Sequence, residues 1–318
     1  MPVISIIIVS YNTREMTLAC LRSVYEETKG FFYEVIVFDN ASIDHSAQAI
    51  SDEFPKAKLI KSHENIGFAR ANNCAAAMAQ GEYLLFLNPD TVVIENAVGR
   101  LYCFARRHPE YRLYGGRTLF GDHSLNPTSC WRRPTLWSLF CYSMGLTSIF
   151  RKHTLFDPES YGPWQRDTVQ EVDIVTGCLL MIEKKLWGQL DGFDPQFFMY
   201  GEDADLCLRA KTLGARPVIT PEATIVHYGG ASEKIRADKM GRLFRAKEQL
   251  LRRHWSPLKT RAGIVLIRTA VRNRALAGAM LDFFKKTENE RTGCWQEIWR
   301  RRQEWQTTDD QQRNVWLS

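Results

Sequence analysis

The sequence predicts an α/β fold built on a mostly parallel sheet of nucleotide-binding type, and three observations predict it. Short, β-branched hydrophobic runs alternate with helical segments through the first hundred residues. The runs are continuously apolar, as in strands covered on both faces, so right-handed crossover helices are expected on either side. The first, second and fourth runs each end in a polar cluster, where ligands collect in such sheets. The absence of GxGxxG and GxxxxGK[ST] argues against a dinucleotide fold or a P-loop.

Taken in order, residues 3–9 read as a strand, because Val3 to Val9 is apolar with no basic region before it and no small-residue cleavage site after it. Arg14 to Glu27 reads as a helix, Glu34 to Phe38 as a strand, His45 to Phe54 as a helix and Lys58 to Lys61 as a short strand. The alanine-rich Phe68 to Ala79 follows as a helix, and Tyr83 to Leu87 as a strand running into Asn88-Pro-Asp90. Ser10-Tyr11-Asn12 and Asp39 to Asp44 are the other two polar clusters. Both allow two readings, ligand contacts or the turn and cap residues that Asn, Asp and Ser commonly supply. Asp44 reads as a helix cap, whereas Asp39, directly after a hydrophobic strand, is placed to accept hydrogen bonds from a base or ribose.

A length of 318 residues suffices for one large α/β domain with an appendage. Hydrophobic content of 45% with 25% charged residues excludes wholesale disorder. Charge is unevenly spread: residues 233–318 hold 20 Lys and Arg against 10 Asp and Glu, and residues 1–232 hold 22 against 26. A boundary is expected there, with 233–318 as a basic helical region. The eight cysteines are scattered singly, with no CxxC and no zinc-like spacing, which suits reduced thiols in a cytoplasmic protein. No run is a convincing membrane span.

Glu202, Asp203 and Asp205 crowd the first turn of an expected helix in Met199 to Arg209. They read either as a catalytic carboxylate in a cleft, with Asp203 the candidate, or as acidic residues complementing a helix dipole. His227 follows an apolar strand and reads either as a buried, hydrogen-bonded histidine or as a metal ligand. Thr176-Gly177, after Val172 to Val175, is either a ligand floor or a tight turn. Trp131 to Lys152 holds an uncharged aromatic run between the basic pairs Arg132-Arg133 and Arg151-Lys152, and is either an interfacial lid or a surface helix packed on residues 111–232. Residues 242–255 and 262–280 mix apolar residues with Arg at helical spacing. They suit either an anionic bilayer surface or a helical cap whose charges face water.

Five ordered segments together resemble family 2 glycosyltransferases, particularly the rhamnosyltransferase-like branch of bacterial surface polysaccharide synthesis. They are Ser5 to Asn12, Val35 to Asp44, Asn65 to Asn73, Leu85 to Thr91 and Gly192 to Leu206. The resemblance covers residues 3–230. It implies a GT-A fold, a Rossmann-like αβα sandwich with a mostly parallel central sheet, as a catalytic domain over 1–232 (1–110 the nucleotide-sugar-binding half, 111–232 the acceptor-binding half), followed here by a C-terminal helical appendage. It also implies an inverting, Mg2+- or Mn2+-dependent transfer from a nucleoside diphosphate sugar, dTDP-rhamnose or a UDP-sugar, to a saccharide acceptor, commonly polyprenyl-linked. That acceptor would place the protein in the cytoplasm or peripherally on the inner membrane face; no nucleic acid partner is expected.

By the same resemblance, Asp203 is the catalytic base and Asp90 the metal ligand, with His227 completing the metal shell. Asn88-Pro-Asp90 departs from the strict DxD pattern, leaving Asp90 to supply most of the charge. Ser10, Tyr11, Asp39, Arg70 and Asn88 fall at the nucleotide, and Thr176, Gly177 and Glu202 at the transferred sugar or acceptor. A nucleotidyltransferase and a non-catalytic nucleotide-sugar binding protein are the alternatives, the first disfavoured by the missing glycine-rich phosphate loop.

Overall fold

The structure, a computed structural model, describes residues 1–229, 236–285 and 290–306. In chain order the elements are β1 (Ile4–Ser10), α1 (Arg14–Glu27), β2 (Tyr33–Asp39), α2 (Ser46–Glu53), β3 (Lys58–Lys61), α3 (Phe68–Ala77), β4 (Tyr83–Leu87), β5 (Thr91–Val93) and α4 (Ala97–Arg107). They continue with β6 (Leu113–Leu119), β7 (Leu125–Asn126), β8 (Cys130–Trp131), α5 (Leu136–Ser143), α6 (Leu146–Ile149), β9 (Gln170–Glu171), β10 (Ile174–Val175), β11 (Leu179–Glu183), α7 (Lys184–Gln189), α8 (Glu202–Thr212) and β12 (Val218–His227). The last helices are α9 (Arg236–His254), α10 (Pro257–Lys285), α11 (Glu290–Arg300) and α12 (Arg302–Gln306).

The chain forms two compact units, residues 1–133 with 164–232, and residues 134–163 with 233–318. Residues 134–163, expected in the acceptor half, therefore belong to the second unit. The reason is apolar matching: Leu139 of α5 is 1% exposed within a core shared with Phe244, Leu251, Ile267 and Val271. Gly263 permits the close approach, since a Cβ there would stand 3.2 Å from a Leu139 methyl and 2.8 Å from Leu251.

In the first unit the main sheet runs β3-β2-β1-β4-β11-β6-β12-β5. β1 pairs in parallel with β2 and β4, as continuous apolar strands require, and every residue of β1 is buried. β11 then enters antiparallel between β4 and β6, aligning Leu179 with Leu87. The expected strand from Val172 to Val175 is interrupted, with only Ile174–Val175 pairing, to β8.

β12 runs parallel to β6 with a register shift between Thr220 and Thr224, then pairs antiparallel with β5 so that His227 faces Thr91. Gly116 makes room for this bulge, because a Cβ there would lie 2.4 Å from the Ala223 carbonyl oxygen. Backbone cannot yield as a flexible side chain can. Gly116→Ala is therefore expected to destabilise the protein by roughly 2 kcal/mol, read as a lowered urea midpoint at unchanged slope. A wild-type midpoint would show that the β12 bulge tolerates the added methyl.

Candidate active site

The site is assembled from the carboxyl ends of β1, β2 and β4, the turn before β11, the start of α8 and the end of β12. Parallel pairing puts Ser10 opposite Asp39, so the loops after β1 and β2 lie side by side. They are stitched together: the Asn12 amide donates to Ser42 Oγ at 3.0 Å, the Ile43 amide to Asn12 Oδ1 at 2.8 Å and the Arg14 amide to Asp44 Oδ2 at 2.9 Å. Asp44 thus holds the start of α1 as well as capping its own turn, where its Oδ1 accepts the Ser46 amide.

Asp39 is buried, and its Oδ2 accepts the Ser42 amide at 3.2 Å. Its Oδ1 has no protein partner. A buried acceptor left unpaired costs about 1–3 kcal/mol, which an incoming N–H or O–H donor recovers. Tyr11 stands next to it in sequence register and is partly exposed. Ser10 does not join this set. Its side chain is fully buried and shares hydrogen bonds with Thr13 and Thr17, at 3.4 and 3.0 Å, which turns the hydroxyl into the α1 packing layer.

Arg70 is exposed in the first turn of α3. That helix start is fixed by two asparagines to which the sequence reading gave no role. Asn40 donates to Asn65 Oδ1 at 2.8 Å and accepts the Ile66 amide at 2.9 Å, while Asn65 accepts the Gly67 amide at 3.0 Å. The Phe68 amide then bonds the Phe198 carbonyl at 2.7 Å, tying α3 to the lead-in of α8. Their signal was their place within the ordered segments, immediately after a strand and immediately before a helix.

The two acidic clusters meet through the turn Thr176-Gly177-Cys178. The Gly177 amide donates to Asp203 Oδ2 at 3.1 Å, and the Asn88 amide donates to the Cys178 carbonyl at 3.3 Å. Asn88 precedes Asp90 by two residues, and Asp90 Oδ1 lies 3.3 Å from His227 Nε2. The Tyr228 amide donates to the Asp90 carbonyl at 3.1 Å, extending the β5–β12 pairing to the pair itself. Thr176, expected to floor a sugar, has its hydroxyl committed to the Thr128 and Ser129 carbonyls at 2.9 and 3.2 Å. It anchors the turn, and Gly177 is what faces Asp203.

Tyr200 and Gly201, both with positive φ, turn the chain into α8 and present Asp203 at the helix N-terminus. Asp203 is partly exposed; Glu202 is 6% exposed, and its Oε2 lacks a partner. Burial, then the charge of Asp203, pushes the Glu202 carboxyl well above the ordinary range. Burial also raises Asp203, opposed by the Gly177 and Ala204 amides. Both carboxyls are thus shifted toward the protonated form, Glu202 the more strongly and Asp203, held by two backbone amides, the less. Asp205 answers to the structural reading of this cluster: fully buried, it pairs with Arg209 at 2.7 Å, and Arg209 bonds the Leu190 and Gly192 carbonyls.

His227 is a partly buried imidazole whose basicity burial would lower, but hydrogen bonds to Asp90 and to Cys178 outweigh that and push it up to about 10. The pair fits a divalent cation by its donor chemistry and spacing. Two ligands about 2.1 Å from one octahedral ion stand roughly 3 Å apart, close to the observed separation. No third His, Cys, Asp or Glu joins them among the described residues. Residues 230–232 of the glycine-rich bend after His227 lie outside the described residues. No disulfide joins the described cysteines.

Comparison with known proteins meets this geometry. A family model for glycosyl transferase family 2 matches residues 5–172. The O-antigen biosynthesis protein RfbC of Myxococcus xanthus is 25% identical over 244 residues, which is 73% of this chain and 18% of that protein. N-acetylglucosaminyl-diphospho-decaprenol L-rhamnosyltransferase of Mycobacterium tuberculosis is 27% identical over 208 residues, 61% of this chain and 66% of its own length. Rhamnosyltransferase WbbL of Escherichia coli K12 is 28% identical, covering 70% of this chain and 82% of its own. The chain thus spans under a fifth of the myxococcal relative and about two thirds of the mycobacterial one.

Among solved structures, the mannosyltransferase PcManGT from Pyrobaculum calidifontis in complex with GDP-Man and Mn2+ aligns with a TM-score of 0.55 at 17% identity, covering 94% of this chain and 84% of that one. GalNAc-T7 with UDP, GalNAc and Mn2+ aligns at 0.59 and 15%, covering 81% and 49%. These similarities show the GT-A fold expected from the sequence. With the family model matching more than half of its length, the chain belongs to glycosyl transferase family 2.

Proposed function

We propose that this protein is an inverting, cation-dependent glycosyltransferase that moves a sugar from a nucleoside diphosphate donor to a saccharide acceptor in surface polysaccharide synthesis. The observation that carries the reading is the turn at residues 176–178, which is bonded to Asp203 on one side and to the strand end leading to Asp90 on the other. L-Rhamnose from dTDP-rhamnose is the favoured transfer, supported by the two rhamnosyltransferases among the relatives. The name of the mycobacterial relative supports a polyprenyl diphosphate-linked acceptor, which would bring the chain to a membrane surface.

In this reading Asp39 and Tyr11 hold the nucleobase side, Arg70 and Asn88 approach the phosphates, and Asp203 takes the proton from the acceptor hydroxyl as it attacks the sugar carbon. Glu202, covered and with its carboxyl shifted toward the protonated form, supports the base rather than touching the acceptor. Asp90 and His227 would hold Mg2+ or Mn2+, which when bound would supply charge neutralisation to the departing diphosphate. Attack guided by a base facing the leaving group gives a single displacement with inversion, with no covalent sugar intermediate.

Asp203→Asn keeps the size and loses the base. Transfer should fall by about 10²- to 10⁴-fold while circular dichroism and donor binding persist; an active variant would remove Asp203 from the reaction. Donor choice is read by thermal shift with a panel of nucleotide sugars. dTDP-rhamnose should raise the melting temperature, more so with Mn2+, and Asp90→Ala or His227→Ala should abolish the Mn2+ increment; an increment that survives both would place the ion elsewhere.

Glu202 supplies a pH test. Its folded-state pKa lies above its unfolded one, so its favourable contribution is complete below the unfolded value and is lost as pH rises toward the folded value. Glu202→Gln mimics the protonated group at every pH. Its stability relative to wild type should therefore increase from pH 5 to pH 8 in urea titrations, and a pH-independent difference would show that Glu202 ionises normally.

A further inference from the structure

We propose that the outer face formed by α5 and α10 docks into the interfacial layer of an anionic lipid bilayer. Both helices lie in the second unit, and the inference rests on the transferase reading only in making a lipid-borne acceptor the reason for docking. α10 has apolar residues on two sides. Ile264, Ile267, Ala270 and Val271 are buried, whereas Leu258 is 80%, Val265 61% and Leu276 57% exposed. The second side mixes these apolar side chains with basic ones, the composition of a helix that lies in a bilayer interface, and no described segment covers it.

α5 widens the apolar surface. Leu136, Trp137 and Phe140 join Leu258, Ala262 and Val265 around a shallow cavity of about 710 Å³. Trp137 stacks on Phe140 with centroids 5.6 Å apart and donates its indole N–H to the Leu155 carbonyl at 2.7 Å, so a rigid aromatic pair faces outward with its polar handle satisfied. A Thr135–Ser138 capping box fixes the start of the helix that presents this pair.

Charge selects the occupant. Between Pro257 and Leu281, α10 carries five basic residues and no acidic one. Arg268 is paired with Glu248, and Arg274 lies over the Tyr142 ring. Arg261, at the cavity rim, and Arg272, farther along the exposed side, have no carboxylate partner among the described residues. A symmetric contact with a second copy would bring these cations against their own images, whereas anionic headgroups neutralise them. Exposed apolar side chains extend from Leu258 to Met280, roughly 33 Å of helix at 1.5 Å per residue. That is far beyond the cavity a single lipid chain would fill. No described helix is long and apolar enough to cross a membrane, so the helix lies along the surface.

The test is flotation of the full chain with vesicles of phosphatidylcholine alone or mixed with phosphatidylglycerol. Binding should require phosphatidylglycerol and weaken with salt. The double variant Leu258→Glu/Val265→Glu should lower the partition coefficient at least ~30-fold. The double variant Arg261→Glu/Arg272→Glu should lower it at least ~10-fold, with the melting temperature of each kept. Transfer to a water-soluble acceptor should be unaffected in both, so loss of docking is separable from failure of the catalytic reading. Undiminished vesicle binding by the Leu258/Val265 variant would overturn the proposal. So would a dimer in light scattering that this variant dissociates, which would assign the face to a second copy.

Discussion

The hydrogen bond from the Gly177 amide to Asp203 Oδ2 is the constraint on which the rest of the site depends. It fixes a carboxylate at the start of α8 to a turn that is itself locked to the end of β4 through Asn88 and Cys178. The turn can serve both partners because β11 is inserted between β4 and β6, with Leu179 in register with Leu87. One residue of slip would carry Gly177 away from Asp203 and turn the strand's side chains to the opposite face. The sheet therefore acts as a ruler between two acidic groups more than a hundred residues apart.

The nucleotide half was legible because its physics is local. Unbroken apolar runs such as Ile4 to Val9 can only be strands covered on both faces, and α1 and β3 were bounded to the residue by simple periodicity. The acceptor half was less legible because its strands take meaning from pairing. β5 has three residues and β12 carries a bulge, so nothing short of the sheet reveals that His227 ends opposite Thr91. At Ser10 and Thr176 the position at a strand end suggests a ligand, while the neighbours decide where the hydroxyl goes: Thr13 and Thr17, three and seven residues on from Ser10, and the Thr128 and Ser129 carbonyls beside Thr176.

Electrostatics sorts the acidic cluster in a way that counting charges does not. Asp205 neutralises Arg209, Glu202 is covered and shifted toward its protonated form, and Asp203 alone retains both backbone donors and access to solvent. Three carboxylates in four residues thus sit in three different environments. A similar division holds in the second unit. The basic residues of α10 partly secure its own packing, through Glu248 and Tyr142, and partly remain outward among apolar side chains.

The most direct test of the central claim is an anomalous-scattering map from a crystal of the protein grown with Mn2+ and a non-hydrolysable nucleoside diphosphate sugar. The account predicts one Mn2+ peak held by Asp90 and His227, with the sugar carbon that bears the diphosphate lying between that ion and the Asp203 carboxylate. A peak away from Asp90 and His227, or a sugar whose reactive carbon is out of reach of Asp203, would contradict it.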